Sequence, residues 1–178
     1  TVGVEIGANT VIEDYVVINK GVSIGCDCLI KSHTIVGSEG FEFKKIFNIQ
    51  CRIVHNCKTI INDYVEIGSH CTIDKGIFDK DTIIKSRCKI DSYCHISHSV
   101  HVGENTLVVS GSVICGSATI GKSNWIGPRS TISNGVFVGD NCSINIGSVV
   151  LNDINSNTKV FGNPATANFI QYLKKIYE

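Results

Sequence analysis

The sequence repeats an aliphatic residue at every sixth position, and this period constrains the fold more than any other feature. A first run extends from Ile6 to Val36, and a second run in the same phase extends from Ile84 to Val150. Between the two runs, three isoleucines keep the period one residue out of phase: Ile61, Ile67 and Ile73. A fixed period of this kind indicates one structural unit repeated along the chain.

Most of these aliphatics are preceded, two positions earlier, by a smaller residue. Residues two apart on a strand share a face, so each hexad offers one small and one large side chain to an interior. The other positions are rich in Gly, Asn, Asp and Ser, which turn a chain sharply. The pattern predicts an all-β protein, a parallel β-helix shaped as a three-faced prism with about 18 residues per coil.

The repeat also explains the cysteines. Five of the nine fall on the small inward position: Cys28, Cys71, Cys88, Cys94 and Cys142. A free thiol is a compact apolar filler there, and the chain contains no pair of C-x-x-C motifs that would indicate a metal cluster. We therefore expect free buried thiols, no bound metal and the reducing conditions of the cytoplasm.

Two segments depart from the repeat. Residues 37–52 place Glu42 and Asn48 where aliphatics are due, which predicts a protruding loop. Residues 163–178 carry apolar side chains at helical spacing, which predicts a turn and a short amphipathic α-helix. We expect one β-helix domain, residues 1–162, with the loop at 37–52 and the helix at its C-terminal end.

The overall charge excludes several partners. Sixteen basic residues balance sixteen acidic ones, so no global field draws the protein to nucleic acid or to an acidic membrane. No apolar run approaches the roughly 20 residues that a membrane span needs, and no signal peptide is recognisable. We expect a cytoplasmic protein that holds its ligand at a local site.

Three histidines lie close together in "DSYCHISHSVHVGEN", residues 91–105. His95 and His101 occupy the same place in successive hexads, hence on neighbouring faces of the prism, where one ion could not bridge them. His98 lies just past the inward Ile96, where the chain turns a corner. The sequence therefore separates His98 from two histidines that we expect on the surface.

The corner that holds His98 recurs one coil later at Gly116 and again at Asn134. Neutral imidazole suits proton abstraction near neutral pH, and a bare backbone N–H on the next coil suits stabilisation of an oxyanion. Asp91, seven residues before His98, is a candidate to orient the ring. The alternative is that His98 is an ordinary surface histidine.

Three blocks resemble the UDP-3-O-acyl-glucosamine N-acyltransferases of lipid A biosynthesis, which are left-handed β-helix proteins of hexapeptide repeats. "HTIVGSEGFEF" (33–43) is similar to their V-I-G-x-D-G-F-x-F loop, and "TIDKGIFDKDTII" (72–84) to T-I-D-R-G-x-x-D-D-T-x-I. "IDSYCHISHSVHVGEN" (90–105) is similar to I-D-N-x-x-x-I-A-H-N-V-x-I-G. The resemblance implies a left-handed helix and a homotrimer with sites in the grooves between subunits. It also implies that His98 is the general base and that the Gly116 amide holds the oxyanion.

The resemblance suggests further binding residues. Phe41 and Phe43 of the loop are expected to cover the donor or its acyl chain. Ser99, where the family has Asn, and Asn134 are expected to bind substrate. The second family histidine is replaced by Gly135.

The C-terminal third resembles a different group. "TIGKSNWIGPRSTI" and "VFGNPA" are similar to segments of the coenzyme A-dependent sugar acetyltransferases, whose G-N-P-A turn lies near the coenzyme. This resemblance implies coenzyme contacts for Gly162, Asn163 and Pro164, with Trp125 forming a wall of the groove.

The predicted function is direct transfer of an acyl group to the amine or hydroxyl of a nucleotide-linked sugar, in lipid A or surface-polysaccharide biosynthesis. The donor is a thioester, either acyl-CoA (acetyl-CoA included) or acyl carrier protein, and no cofactor is bound permanently.

An acetyl-CoA-dependent sugar O-acetyltransferase is the first alternative. A metal hydratase of the γ-carbonic anhydrase type shares the prism, but its metal ligands include two histidines five residues apart. No two of the six histidines in this sequence have that separation. A non-catalytic trimeric scaffold is the remaining alternative.

Overall fold

The computed structural model describes residues 3–163, which form a prism of three parallel β-sheets. The helix predicted for residues 163–178 lies outside the described residues except for its first position. The described part contains no helix, and so none long and apolar enough to cross a membrane. The strands, in chain order, are β1 (Glu5–Ile6), β2 (Val11–Ile12), β3 (Val17–Ile18), β4 (Val22–Ile24), β5 (Leu29–Ile30), β6 (Ile35–Ser38), β7 (Phe43–Ile46), β8 (Ile49–Arg52), β9 (Thr59–Ile61), β10 (Glu66–Ile67), β11 (Thr72–Asp74), β12 (Thr82–Ile84), β13 (Lys89–Ile90), β14 (His95–Ile96), β15 (His101–Val102), β16 (Leu107–Val108), β17 (Val113–Ile114), β18 (Thr119–Ile120), β19 (Trp125–Ile126), β20 (Thr131–Ile132), β21 (Phe137–Val138), β22 (Ser143–Ile144), β23 (Val149–Val150) and β24 (Lys159–Val160).

Each face of the prism takes one strand from each coil. Sheet A has the order β1-β4-β9-β12-β15-β18-β21, and sheet B has the order β2-β5-β10-β13-β16-β19-β22-β24. Sheet C has the order β3-β6-β11-β14-β17-β20-β23. The register aligns equivalent hexad positions, as when His95 pairs with Val113 and Ile96 with Ile114. The β-helix predicted from the period is therefore confirmed.

The aliphatic side chains of successive hexads stack from coil to coil in one core, with Ile6 of the first coil exposed and Ile12 and Ile18 partly buried. Ile30, Ile67, Ile96, Ile114 and Ile132 are each fully buried. The five cysteines assigned to the small inward position are buried as well, and all nine cysteines are free thiols. Each coil buries its apolar surface only against the coils beside it, so the stability of one coil depends on its neighbours.

Two excursions interrupt the prism. The first follows β6 and forms an antiparallel hairpin of β7 and β8, and regular strands resume only at Thr59. The predicted loop at 37–52 is therefore present but ends later, near residue 58. The second excursion lies between β11 and β12, where Ile77 forms a bridge with Lys80. Both excursions leave the corner between sheets C and A, on the side where His98 lies.

The corners of the prism explain why the hexads are rich in small polar residues. The corner residue that follows His98 is Ser99, with φ of 58°, and the one that follows Gly116 is Ser117, with φ of 61°. Left-handed backbone of this kind is tolerated best by Gly, Asn, Asp and other short polar residues. Because Ser99 and Ser117 take the sharp turns, the residues before them lie on the outer side of the corner. At these positions His98 carries its ring outward, and Gly116 has no side chain.

Candidate active site

A cleft of about 550 Å³ lies between the first excursion and the corner that joins sheets C and A. The prism contributes His95, His98, Gly116 and Asn134 to its wall. The excursion contributes the opposite wall, including Glu42 and Arg52. The cleft thus places His98, on the stacked coils, opposite the charged Glu42 and Arg52 of the loop.

His98 and Gly116 are in direct contact at the centre of this cleft. A Cβ placed on Gly116 would collide with the Cε1 and Nε2 atoms of the His98 ring, and it would lie 3.0 Å from Asn134 Oδ1. Glycine is therefore the residue that allows the imidazole to lie flat against the next coil. The predicted column of His98, Gly116 and Asn134 is present along the corner.

The backbone N–H of Gly116 has no hydrogen-bond acceptor within residues 3–163. Its neighbours Cys115 and Ser117 donate their N–H groups to the carbonyls of Ile132 and His98, at 3.0 and 2.9 Å. The Gly116 N–H therefore stands unpaired beside the imidazole and is not shielded by a side chain of its own. Such a group can donate to an oxyanion that forms next to the ring.

The electrostatics of the cleft favour the neutral form of His98. Burial lowers the pKa of His98 below its ordinary value, and His55 lowers it further, while Glu42 and Asp74 act in the opposite direction. Glu42 Oε2 lies 3.8 Å from His98 Nε2, too far for a hydrogen bond. The side chain of His98 is only 12% exposed, so the loss of solvation outweighs this carboxylate.

Asp74 is the second carboxylate of the site, and it is almost fully buried. Its Oδ1 accepts a hydrogen bond from Ser38 Oγ at 2.7 Å, and its Oδ2 lies 3.5 Å from His95 Nε2. His95 Nε2 is also hydrogen-bonded to Ser97 Oγ at 2.8 Å. The carboxylate is thus held by the prism at the floor of the cleft, in reach of a polar substrate group.

A glycine of the excursion permits this arrangement. A Cβ on Gly40 would lie 2.8 Å from Asp74 Oδ2 and 3.0 Å from His55 Nε2. A larger residue at this position would therefore require the Asp74 and His55 side chains, or the loop itself, to shift. The second glycine of "GSEG", Gly40, is therefore explained by its close contact with Asp74 and His55.

Three residues that the sequence assigned to the site lie elsewhere. Asp91 is at the corner between sheets B and C, where its carboxylate accepts the N–H groups of Ser92 and Ser110 at 2.7 and 3.3 Å. The assignment of Asp91 as the group that orients His98 is therefore wrong in this chain's own geometry. Trp125 lies on the outer surface of sheet B, in a groove with Leu107, and does not line the cleft.

Ser99 is the other correction. It is buried, and its Oγ accepts the Ile77 N–H at 3.0 Å and contacts the Lys80 carbonyl at 3.0 Å. Its own N–H donates to Thr82 Oγ1 at 2.8 Å. Ser99 therefore fastens the second excursion to the prism, and its hydroxyl and N–H are engaged within the chain.

The remaining assigned residues have mixed positions. Phe41 lines the cleft and is 88% exposed, and its ring lies 4.9 Å from that of Phe43. Gly162 and Asn163 lie at the C-terminal end of the described prism, and Pro164 falls outside the described residues. Their proposed contact with a coenzyme stays a prediction, as do the substrate contacts of Phe41, Phe43 and Asn134.

Sequence reasoning missed or left on the surface three residues that line the cleft, and a fourth, His55, that is buried against the His98 ring. Glu42 and Asp74 lie inside the blocks quoted above, and His95 belongs to the histidine cluster, so a signal for these three was present. His55 belongs to no motif. Its ring packs edge-on against His98, with centroids 5.6 Å apart and planes at 71°.

Comparison with known proteins gives one family match and several relatives. The family described as bacterial transferase hexapeptide (six repeats) matches residues 81–116. The UDP-3-O-acylglucosamine N-acyltransferase of Campylobacter lari is 38% identical over 111 residues, which are 62% of this chain and 34% of that protein. The enzyme of the same name from Rickettsia akari is 41% identical over 110 residues, 62% of this chain and 31% of that protein. The chain therefore spans about a third of the length of these relatives.

The fold has solved counterparts. The UDP-N-acetylglucosamine acyltransferase from Campylobacter jejuni superposes with a TM-score of 0.76 at 24% identity, over 93% of this chain and 70% of that chain. At this identity the likeness concerns the fold alone. The hexad period, the three parallel sheets and these comparisons identify the chain as a left-handed β-helix of hexapeptide repeats, the fold that these acyltransferases share.

Proposed function

We propose that the protein is an acyltransferase that moves an acyl group from a thioester to the amine or hydroxyl of a nucleotide-linked sugar. The observation that carries this proposal is the contact between His98 and the unshielded Gly116 N–H at the centre of the cleft. A neutral base and an oxyanion donor within one van der Waals contact are the two groups that direct acyl transfer requires. The relatives named above support an amino-sugar acceptor and N-acylation.

In the proposed reaction, His98 Nε2 removes a proton from the acceptor nitrogen or oxygen as it attacks the thioester carbonyl. The carbonyl oxygen gains negative charge and receives a hydrogen bond from the Gly116 N–H. The C–S bond then breaks, and the leaving thiolate takes the proton from the His98 imidazolium. No acyl-enzyme forms, because the acceptor itself attacks the carbonyl carbon.

Two carboxylates assist this sequence. Glu42, 3.8 Å from His98 Nε2, stabilises the imidazolium while it holds the proton. Asp74, held by Ser38, accepts a hydrogen bond from the acceptor sugar and orients its nucleophile. Arg52, which pairs with Glu39 at 3.1 Å on the loop side, supplies a cation for a phosphate of the nucleotide or the donor.

The donor is proposed to be coenzyme A or acyl carrier protein, with the acyl chain against Phe41 and Phe43. These rings border a mostly apolar groove along the hairpin, lined also by Glu42 and Gln50. The resemblance implies a homotrimer, in which a neighbouring subunit would complete the groove. Sedimentation of the purified protein tests this expectation directly.

The test is an assay of transfer by mass spectrometry. Nucleotide-linked amino sugars are incubated with acetyl-CoA or with a hydroxyacyl carrier protein, using wild type, His98→Ala and the control His101→Ala. We expect acylated sugar from wild type and from the control, and a rate lower by about 10²–10⁴-fold for His98→Ala. Equal rates for His98→Ala and wild type would exclude the mechanism, and transfer only to a hydroxyl would favour the O-acetyltransferase alternative.

A further inference from the structure

His55 and His98 lie against each other with one unpartnered nitrogen on each ring. Within residues 3–163, His55 Nε2 and His98 Nδ1 are buried nitrogens without a hydrogen-bond partner. The two rings form an edge-on contact with centroids 5.6 Å apart. A buried polar group without a hydrogen-bond partner is unfavourable, so two of them on adjoining rings point to a hydrogen bond that they share.

The tautomer of His55 follows from its one hydrogen bond. His55 Nδ1 lies 3.2 Å from the carbonyl oxygen of Ile53. A carbonyl only accepts, so Nδ1 carries the hydrogen and the neutral ring keeps a lone pair on Nε2. His55 is 3% exposed, so water from the bulk does not compete for this lone pair.

His98 needs the complementary tautomer. Its Nε2 faces the cleft, beside Glu42 and Gly116, whereas its Nδ1 is buried on the side away from solvent. A general base that acts through Nε2 must carry its hydrogen on Nδ1. We propose that His55 is a positioning residue whose Nε2 accepts the Nδ1–H of His98, directly or through one buried water. His55 thereby holds Nε2 of His98 unprotonated toward the substrate.

The other charged groups near His98 do not supply this hydrogen bond. Glu42 lies on the Nε2 side of the ring. Asp74 is engaged by Ser38 through Oδ1 and faces His95 through Oδ2. Asp74 Oδ2 also lies near His55 Nε2, across Gly40, but a lone pair offers no proton to a carboxylate. Among the groups within residues 3–163 that face the ring, His55 alone presents a buried acceptor to Nδ1.

A neutral acceptor has a different consequence from the carboxylate that often orients a catalytic histidine. A carboxylate fixes the tautomer and also stabilises the imidazolium, which raises the histidine pKa. A neutral imidazole fixes the tautomer without adding a negative charge. His98 therefore remains unprotonated at lower pH than a carboxylate-paired histidine would.

The decisive measurement is the tautomer of His98, read from two-bond ¹H–¹⁵N correlation spectra of the full chain at pH 8. The His98 signals are assigned from their absence in His98→Gln. We expect hydrogen on Nδ1 of His98 and a bare Nε2 on both rings in wild type. His55→Phe, which keeps a buried ring but removes the acceptor, should shift His98 toward the Nε2–H form. His55→Gln, whose amide can donate to Ile53 and accept from His98, should keep Nδ1–H.

The predicted tautomer does not depend on the proposed function, but the effect of His55 on catalysis rests on it. Kinetics are therefore a second, separate experiment. His55→Phe should lower kcat by about 10–100-fold with KM within about twofold, His55→Gln should restore most of kcat, and the remote His33→Phe should match wild type. Hydrogen on Nε2 of wild-type His98 would overturn the proposal, and this spectrum decides even if His55→Phe does not fold. An unchanged tautomer in His55→Phe would overturn it too. Absence of transfer by wild type, with the expected tautomers, would instead count against the proposed function.

Discussion

In the part of the chain that the structure describes, four ionisable neighbours act on the pKa of His98, and their effects oppose one another. His55 and His95 lower this pKa, in addition to the larger effect of burial, whereas Glu42 and Asp74 raise it. The folded chain therefore binds a proton at His98 less readily than the unfolded chain does. The contribution of the neutral ring to stability is present above the ordinary histidine pKa and is lost as pH falls through the lower pKa of the folded state.

The carboxylate of Glu42 provides a test of this balance. In Glu42→Gln the imidazolium of His98 loses the negative charge 3.8 Å from Nε2, so the pKa of His98 falls further. Because only the neutral ring acts as base, activity is lost as pH drops through this pKa. We expect the acid limb of the kcat/KM profile of Glu42→Gln to lie at lower pH than in wild type.

The matched control is Glu104→Gln, which removes an exposed carboxylate at a different corner. Its acid limb should coincide with that of wild type. A limb displaced to higher pH in Glu42→Gln, or an equal displacement in both variants, would contradict the assignment of His98 as the titrating base.

At the scale of single elements, the hairpin of β7 and β8 carries an unfavourable turn. Its two turn residues, Phe47 and Asn48, both have positive φ, 45° and 63°. Two-residue hairpin turns of this kind favour Asn, Asp and Gly, and a bulky residue in left-handed backbone costs about 1–2 kcal/mol. Phe47 is 95% exposed, so packing within the described chain does not offset that cost.

Phe47→Asn should therefore stabilise the hairpin by about 1 kcal/mol, which slows hydrogen exchange of its strand amides by about fivefold. Phe78→Asn is the matched control. Phe78 has φ of 54°, but its ring lies 4.9 Å from Lys44 Nζ, so this substitution loses a cation–π contact and gains less. Faster exchange in Phe47→Asn would show that Phe47 packs against another surface, such as a second copy of the chain.

These elements also show what could be predicted from the sequence. The prism was predictable because every inward residue repeats at a fixed interval, and the contact of His98 with Gly116 follows from that interval alone. Asp91 was misassigned because proximity along the chain does not say which corner of the prism a residue occupies. His55 was missed because it lies in an aperiodic excursion, and only the three-dimensional path of that segment brings it to His98.

At the scale of the whole molecule, buried side chains that hydrogen-bond to the backbone of neighbouring coils hold the coils together, in addition to the aliphatic core. Asn124 is buried, and its Nδ2 donates to the carbonyls of Gly121 and Gly139, each at 2.9 Å. Its Oδ1 accepts the Cys142 N–H. Thr106 occupies the same place one coil earlier, where its Oγ1 donates to Gly121 and accepts the Asn124 N–H.

Asn124→Ala should destabilise the prism by about 2–4 kcal/mol, because the buried Cys142 N–H and the Gly139 carbonyl lose their partner and the Gly121 carbonyl keeps only Thr106. Asn124→Thr is the matched control, since a threonine there can repeat the two hydrogen bonds that Thr106 makes, and it should cost less than about 1 kcal/mol. Each coil contacts only its neighbours, so the loss should be local. We expect hydrogen exchange to accelerate from β19 to β22 in Asn124→Ala and to stay unchanged from β9 to β10. Uniform acceleration throughout would mean instead that the prism, with the His98 corner at its centre, unfolds as one cooperative unit.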